Sequence, residues 1–310
     1  MTRAFVFPGQ GAQTIGMGRA LAAAYPAAKA VFDEVDEALG EKLSALIWEG
    51  DIAELTLTQN AQPALMATSL AAVRALEAEG FPVVGTADFV AGHSLGEYSA
   101  LCAVGALTLA DTARLLRIRG QAMQEAVPVG VGAMAALLGL DFETATAVAA
   151  EAAGDEVCQA ANDNDPAQVV VSGHKAAVER AVEIAKARGA KRALMLPVSA
   201  PFHCALMQPA AARMAEALAA VVISDPAVPV VVNVRAEAVT EGSKIADLLV
   251  AQVTGSVRWR ESVQWMERAG VTDYWEVGAG KALSGMIKRI SKEAVTKAVG
   301  TPEDIAALKG

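Results

Sequence analysis

Ser94 lies in Gly92-His93-Ser94-Leu95-Gly96, with a glycine two residues away on each side. That spacing is the pattern of a nucleophile elbow, a sharp strand-to-helix turn that lifts a serine hydroxyl above a sheet. The glycines have a steric reason: strand and helix approach so closely that a Cβ at either position would collide with its neighbour. Such a serine stands at a helix N-terminus, where unpaired N–H groups and the helix dipole favour developing negative charge. The same residues also describe an ordinary glycine-bounded turn with a capping serine. A nucleophilic serine needs a general base, and the chain holds three histidines. His93 adjoins Ser94, and adjacent side chains at an elbow point apart, so it reads as a wall or a support for the turn. His174 reads as an exposed residue at a helix start. His203 follows Pro201 in a restrained loop just before a helix, where a base could be held over a cleft between two domains. No acidic third member is identifiable, which leaves a backbone carbonyl as a group that could orient the base.

A second chemical feature is a misplaced cation. The segment from Leu109 to Ala126 reads as a helix with an apolar stripe of Leu109, Ala113, Leu116, Met123 and Ala126, and a polar face of Arg114, Arg117, Gln121, Gln124 and Glu125. Arg119 falls three residues after Leu116 and four before Met123, on the apolar stripe. A guanidinium there is costly to desolvate unless it meets an anion. The partner could be a buried Asp or Glu, the stem could snorkel to water, or the group could capture a substrate carboxylate as a bidentate pair.

These residues need a scaffold. Ala4–Phe7 is a short apolar run ended by Pro8-Gly9, a first buried strand. The loop Gly9–Gln13 reads as a turn, or as a source of backbone N–H groups for an anion beside Ser94. It is not a dinucleotide loop, because Thr14 stands where the third glycine would be. A helix is expected from about Gly16, and helical patterns cover Arg19–Tyr25, Ala27–Leu39 and Ala61–Glu79; a strand at 88–91 leads into the elbow. The alternation suggests a parallel sheet covered on both faces. From 129 to 197 the pattern changes to strand Gly132–Leu140, helix Phe142–Ala153, strands Val157–Ala161 and Gln168–Ser172, helix Lys175–Ala187 and strand Arg192–Pro197. This is the ferredoxin-like βαββαβ order, expected as a small inserted domain at 129–197, with a discontinuous large catalytic domain at 1–128 and 198–310. A helix follows at about Ala205–Val221, then a strand at Val228–Asn233, helices at Ile245–Gln252 and Arg260–Ala269, and a last strand at Tyr274–Val277. The Gly-Lys that comes after it is not a phosphate-binding loop, since Trp275 and Ala282 replace the residues that loop requires.

Composition narrows the function classes. With 310 residues, 54% hydrophobic and 20% charged, the chain can bury a large core. A formal net charge of -9 argues against nucleic acid. The three cysteines, Cys102, Cys158 and Cys204, form no C-x-x-C pair and suggest a reducing compartment. The N-terminal segment reaches Pro8 and a glycine-rich turn too soon for a signal peptide, and the uncharged run Ala126–Leu140 is too short and too interrupted to span a bilayer. The expectation is a cytoplasmic protein with no membrane partner.

Six motifs carry a resemblance: Phe7-Pro-Gly-Gln-Gly-Ala-Gln13, Gly92-His-Ser-Leu-Gly-Glu-Tyr-Ser99, Arg119-Gly-x-x-Met123-Gln124, Asn162 before Gln168-Val-Val-Val-Ser-Gly173, Pro197-Val-Ser-x-Pro-Phe-His203 and Glu276-Val-Gly-x-Gly-Lys281. In this order, over essentially the whole chain, they resemble the malonyl-CoA:acyl carrier protein transacylases, the acyltransferase family of fatty acid and polyketide synthesis. The resemblance implies an α/β-hydrolase-like large domain with a ferredoxin-like small one. It implies Ser94 as nucleophile, His203 as base, backbone N–H groups of Gln10 and Leu95 as oxyanion hole, and Arg119 as anchor for the malonyl carboxylate. It gives the Gln252 carbonyl the task of orienting His203, with Asn162 facing the cleft from the small domain and Met123, Phe202 and His93 in the pocket. Phe202 stands where some members have serine, and Ala279 where others have proline. A ring beside the base could exclude an α-methyl branch.

The implied reaction is ping-pong transfer of malonyl from malonyl-CoA to acyl carrier protein, with no metal or redox cofactor. Alternatives are a serine thioesterase or other hydrolase on the same elbow, a polyketide-pathway acyltransferase, and a non-catalytic module that binds CoA or carrier protein. Because carrier proteins of this family are acidic and the chain is itself at -9, docking requires a local basic patch. The run Lys281, Lys288, Arg289, Lys292 and Lys297 is the first choice, and Lys186, Arg188, Lys191 and Arg192 the second.

Overall fold

Strand β1 (Thr2–Phe7) is the apolar run at the start of the chain, and it becomes the interior of a sheet because Ala4, Phe5, Val6 and Phe7 are all fully buried. The computed structural model describes residues 2–198 and 200–309, so Ser199 of the Pro197–His203 motif lies outside the described residues. The other strands are β2 (Phe89–Gly92), β3 (Gly132–Leu138), β4 (Cys158–Asp165), β5 (Gln168–His174), β6 (Arg192–Met195), β7 (Val230–Val232), β8 (Glu237–Val239), β9 (Val271–Val277) and β10 (Val295–Val299).

They form two sheets. The first has six strands in the order β10-β9-β1-β2-β7-β8, parallel throughout except for β8, which pairs antiparallel with β7. The second is antiparallel, in the order β4-β5-β3-β6. Chain order runs from β1 through β2 to β7 on one side and from β9 to β10 on the other. The loops after β1 and β2 therefore meet at the carboxyl ends of adjacent parallel strands, where open α/β sheets place ligands.

The long helix Thr58–Ala78 is buried around most of its circumference and packs against the helices Pro26–Leu39 and Leu109–Glu125. Phe5 stacks on Trp275 with ring centroids 5.2 Å apart, tying β1 to β9. Between 129 and 197 the elements fall in the expected order, with helices Phe142–Ala153 and Lys175–Ala187 matching the periodicity of their apolar residues.

Several expectations need correction. The first helix begins at Arg19, not Gly16. Two short helices, Leu43–Glu49 and Ile52–Thr56, fill the stretch between Leu39 and Ala61, to which the sequence pattern assigns no element. The segment from Ala205 starts as a 3₁₀ turn, Ala205–Met207, and the α-helix runs Gln208–Ala219. Val271–Val277 is not the last strand: β10 follows it at the sheet edge, carrying Lys297, whose ammonium lies over the Trp275 ring. Arg117 does not project to water from a polar face; its side chain is 14% exposed and pairs with Glu41.

Strand β4 ties the antiparallel sheet to the helices and the Val257 segment that flank the parallel one. Asn162 and Asn164 line the cleft, while buried Asp163 and Asp165 pair with Arg260 and Arg289, at 2.8 and 2.7 Å, from helices Trp259–Arg268 and Ala282–Ile290. Backbone hydrogen bonds between 161–163 and Val257 extend the same junction. Among the described residues no helix is long and apolar enough to cross a membrane.

Candidate active site

The elbow has the geometry its glycines demand. A Cβ on Gly92 would lie 1.9 Å from the Gly96 carbonyl, and one on Gly96 would lie 2.2 Å from the Phe7 carbonyl oxygen. Strand β2, the helix Leu95–Ala103 and the end of β1 are thus in backbone contact. Ser94 turns the corner at φ 54° and ψ −110°, a conformation that non-glycine residues adopt only under constraint.

Ser94 faces a cavity of about 470 Å³. Gln10, His93, Leu95, Arg119, Met123, Asn162, Phe202 and His203 line the same cavity, so eight of the other sequence-predicted site residues come together here. The ninth, Gln252, is fully buried behind the wall. The β1 loop forms one rim, and Met134, Ala136 and Val170 of the antiparallel sheet form an apolar roof.

The Ser94 Oγ lies 2.8 Å from the His203 Nε2. The His203 Nδ1 lies 2.9 Å from the Gln252 carbonyl oxygen. A carbonyl only accepts, so Nδ1 carries the proton and Nε2 presents a lone pair to the serine hydroxyl. The ring is 4% exposed. Burial, reinforced by the Arg119 charge, lowers its pKa to about 3, so it is neutral at physiological pH. Among the described residues no acidic side chain completes a triad; the Gln252 carbonyl takes that place.

Arg119 is 1% exposed, which removes the snorkelling alternative. It makes no ion pair among the described residues. Its Nη1 donates to Gln62 Oε1 at 2.7 Å, and its Nη2 donates to Gln252 Oε1 at 3.0 Å and to Ser94 Oγ at 3.1 Å. Among the described residues its buried Nε has no hydrogen-bond partner. The guanidinium is held by neutral amides, beside the serine, with its charge not directly paired.

Four participants escaped the sequence reading. Gln62 holds Arg119 and also reaches the Met123 Sδ at 3.8 Å. Asn164 pairs with His93 Nε2 at 2.8 Å, which makes His93 a fixed wall. Asn233 bonds to both sides of the elbow. Glu97 is 1% exposed, and its Oε2 accepts from the Asn233 backbone N–H at 2.8 Å and from Gln252 Nε2 at 3.1 Å. Burial raises the Glu97 pKa to about 7 against those hydrogen bonds and the pull of Arg119. A polar residue ending an all-valine run was the available signal for Asn233; the others depend on contacts between distant segments.

The Glu276–Lys281 motif has a structural use. Buried Glu276 accepts from the backbone N–H groups of Leu283 and Ser284 at 3.0 and 2.7 Å, and so caps the helix Ala282–Ile290. On that helix Lys288 is exposed, as are flanking Lys281 and Lys292, whereas Arg289 is engaged with Asp165. In the second basic run, Lys186 and Arg188 pair with Glu183 and Glu151.

A family described as acyl transferase domain matches residues 4–294. The chain belongs to the acyl transferase family. Within it, the chain is 50% identical over 303 residues to the malonyl CoA-acyl carrier protein transacylase of Bacillus subtilis, covering 97% of this chain and 94% of that protein. Among solved structures, the acyl-carrier-protein-S-malonyltransferase of Bartonella henselae shares 55% identity at a TM-score of 0.97, with 99% of this chain and 98% of that chain covered. A malonyl-transacylase solved in complex with a type II polyketide acyl-carrier protein shares 42% identity at a TM-score of 0.95, covering 99% and 98%. The chain is an acyltransferase with a mixed α/β fold of one parallel-dominated sheet and one separate antiparallel sheet.

Proposed function

We propose that this acyltransferase moves a malonyl group from malonyl-CoA to the phosphopantetheine thiol of an acyl carrier protein, supplying extender units for fatty acid synthesis. The observation that carries the proposal is the position of the Ser94 Oγ between the lone pair of a neutral His203 and the buried cation of Arg119. A base makes the serine a nucleophile, and a cation without a paired carboxylate suits an acyl group that ends in one.

In the first half-reaction the Ser94 proton passes to His203 Nε2 as Oγ attacks the thioester carbonyl. The tetrahedral oxyanion is received by the N–H groups of Gln10 and Leu95. Supporting this, Leu95 is the first residue of its helix, whose N–H has no intrahelical acceptor, and neither N–H donates a hydrogen bond among the described residues. The carbon–sulfur bond breaks, CoA leaves with the proton from His203, and a malonyl-serine ester remains. In the second half-reaction the carrier thiol gives its proton to His203, its sulfur attacks the ester, and Ser94 recovers the proton as the carbon–oxygen bond breaks. Arg119 binds the malonyl carboxylate throughout. The scheme calls for no metal or redox cofactor.

Two finer structural readings accompany this. We read the parallel-dominated sheet with its elbow as the α/β-hydrolase-like large domain, 1–128 and 198–310. The βαββαβ unit of 129–197 is the ferredoxin-like small domain, a reading supported by its strand order β4-β5-β3-β6. Carrier protein docks near Lys281, Lys288, Arg289 and Lys292, beside the cavity wall formed by Leu283 and Met286. The buried, unbridged cysteines Cys102, Cys158 and Cys204 support a cytoplasmic site of action. A polyketide pathway is the second reading, favoured by the likeness to the solved polyketide carrier complex.

The test is CoA release from malonyl-CoA. Without carrier protein it should stop after about one equivalent of enzyme; with holo carrier protein it should continue and malonylate the carrier. Sustained CoA release without an acceptor would identify a hydrolase instead.

A further inference from the structure

We infer that Asn233 is a positioning residue that locks the strained Ser94 conformer by extending the β2–β7 ladder with its side-chain amide. The inference rests on the reading of Ser94 as nucleophile. Strands β2 and β7 run parallel with Val90 beside Val230 and Ala91 beside Val231. Continuing that register sets Asn233 beside His93. In a parallel ladder one residue bonds through its C=O and N–H to the residues on either side of its partner. The groups flanking His93 are the Gly92 carbonyl and the Ser94 N–H.

The backbone of residue 233 does not serve them in the usual way, because its N–H is taken by Glu97 Oε2. The side chain does so instead. Its Nδ2 donates to the Gly92 carbonyl at 2.7 Å, and its Oδ1 accepts from the Ser94 N–H at 2.8 Å. One amide thus stands in for a peptide group and spans the turn. Its orientation follows from its partners, since the nitrogen faces a carbonyl and the oxygen faces an N–H. Gln252 Nε2 approaches the same Oδ1 at 3.3 Å. Asn233 is 0% exposed, so water does not compete for either contact.

The requirement for such a clamp comes from Ser94 itself. Its φ of 54° and ψ of −110° persist only if the surroundings over-determine them. Gly92 and Gly96 permit the close approach, the Gly96 N–H closes the turn onto the His93 carbonyl at 2.9 Å, and Gln252 Nε2 donates to the Ser94 carbonyl at 3.0 Å; the Gly92 carbonyl and the Ser94 N–H are left to the Asn233 amide. The amide fixes the carbonyl entering the turn and the N–H of the nucleophile. It thereby sets the direction of the Oγ toward His203 Nε2 and of the next N–H, that of Leu95. Misplacement of a reacting atom by about 1 Å costs on the order of 100-fold in rate.

The experiment compares full-length wild type, Asn233→Ala and Asn233→Asp. Three quantities are read: the rate constant for malonyl loading by rapid-mixing intact mass, the Kd for malonyl-CoA in a Ser94→Ala background with and without each change, and Tm. Asn233→Asp keeps the acceptor for the Ser94 N–H but turns an oxygen toward the Gly92 carbonyl, and it preserves shape should Asn233→Ala not fold. The expected result is loading slowed about 10- to 100-fold, with Kd for malonyl-CoA unchanged. Loading at the wild-type rate in a folded variant overturns the inference, as does a loss of rate, malonyl-CoA affinity and Tm together in both variants, which would mean a scaffold role only. A wild type that never gains a malonyl group overturns the nucleophile reading as well, so the two failures are distinguishable.

Discussion

The Nδ1 of His203 and the carbonyl oxygen of Gln252 are 2.9 Å apart, and this contact decides which ring nitrogen faces Ser94. His203→Ala should lower malonyl loading by roughly 10²–10⁴-fold, the usual contribution of a positioned base. The buried ring also has a stability consequence. Its pKa is depressed to about 3, so below the unfolded value of about 6.5 the unfolded chain takes up a proton that the folded chain refuses. The stability it contributes is present above pH 6.5 and is lost as pH falls. The Tm of wild type should therefore drop more between pH 7 and pH 5 than that of His203→Gln. Parallel Tm curves would contradict the buried neutral imidazole.

Arg119 should set acyl choice. A hydrogen bond to a charged group is worth about 1.5–3 kcal/mol, which corresponds to roughly a 10- to 100-fold preference for malonyl over acetyl. Arg119→Ala should remove that preference, chiefly through lost malonyl activity. The measurement is the malonyl-to-acetyl ratio of loading rates, and an equal ratio in wild type and variant would rule the role out.

The legibility of these residues differed for physical reasons. Ser94 was readable because the elbow forces two glycines into a fixed local spacing. Arg119 was readable because a cation on an apolar stripe violates helical periodicity. His203 was one of three histidines, and local pattern could place it in a restrained loop but could not place it opposite Ser94; the resemblance did that. Gln62, Asn164 and Glu97 owe their positions to contacts 155 residues apart or fewer that no local period records. Edge strands β8 and β10 were missed because their charged and exposed residues, such as Glu237 and Lys297, blur the alternation of a buried strand. The short helices Leu43–Glu49 and Ile52–Thr56 span too few turns to display a period.

Glu97 should give the loading rate its dependence on pH near neutrality. Its pKa is raised by burial to about 7. Once ionised, it offsets the Arg119 charge that weakens His203 as a base. The loading rate should rise as pH passes upward through about 7. Glu97→Gln can keep an oxygen facing the N–H groups of Asn233 and Gln252 while removing the charge, so its profile should be flat there. The same inflection in the variant would assign it to another group.

The basic helix separates into two roles. Lys288 is exposed, and Lys288→Glu should raise KM for carrier protein in a salt-dependent way while leaving loading from malonyl-CoA unchanged. Arg289→Glu would set a second carboxylate against buried Asp165, so it should lower Tm and impair loading and transfer together. Identical effects of the two changes on steady-state kinetics would contradict this division.

The central claim is that Ser94 carries the acyl group between donor and acceptor. It is tested most directly by intact mass after mixing enzyme with malonyl-CoA in the absence of carrier protein. Wild type should gain the mass of one malonyl group, localised to the peptide containing Ser94, and lose it when holo carrier protein is added. Folded Ser94→Ala should gain nothing. A malonyl adduct on the Ser94→Ala protein, or turnover by wild type with no covalent intermediate, would contradict the account.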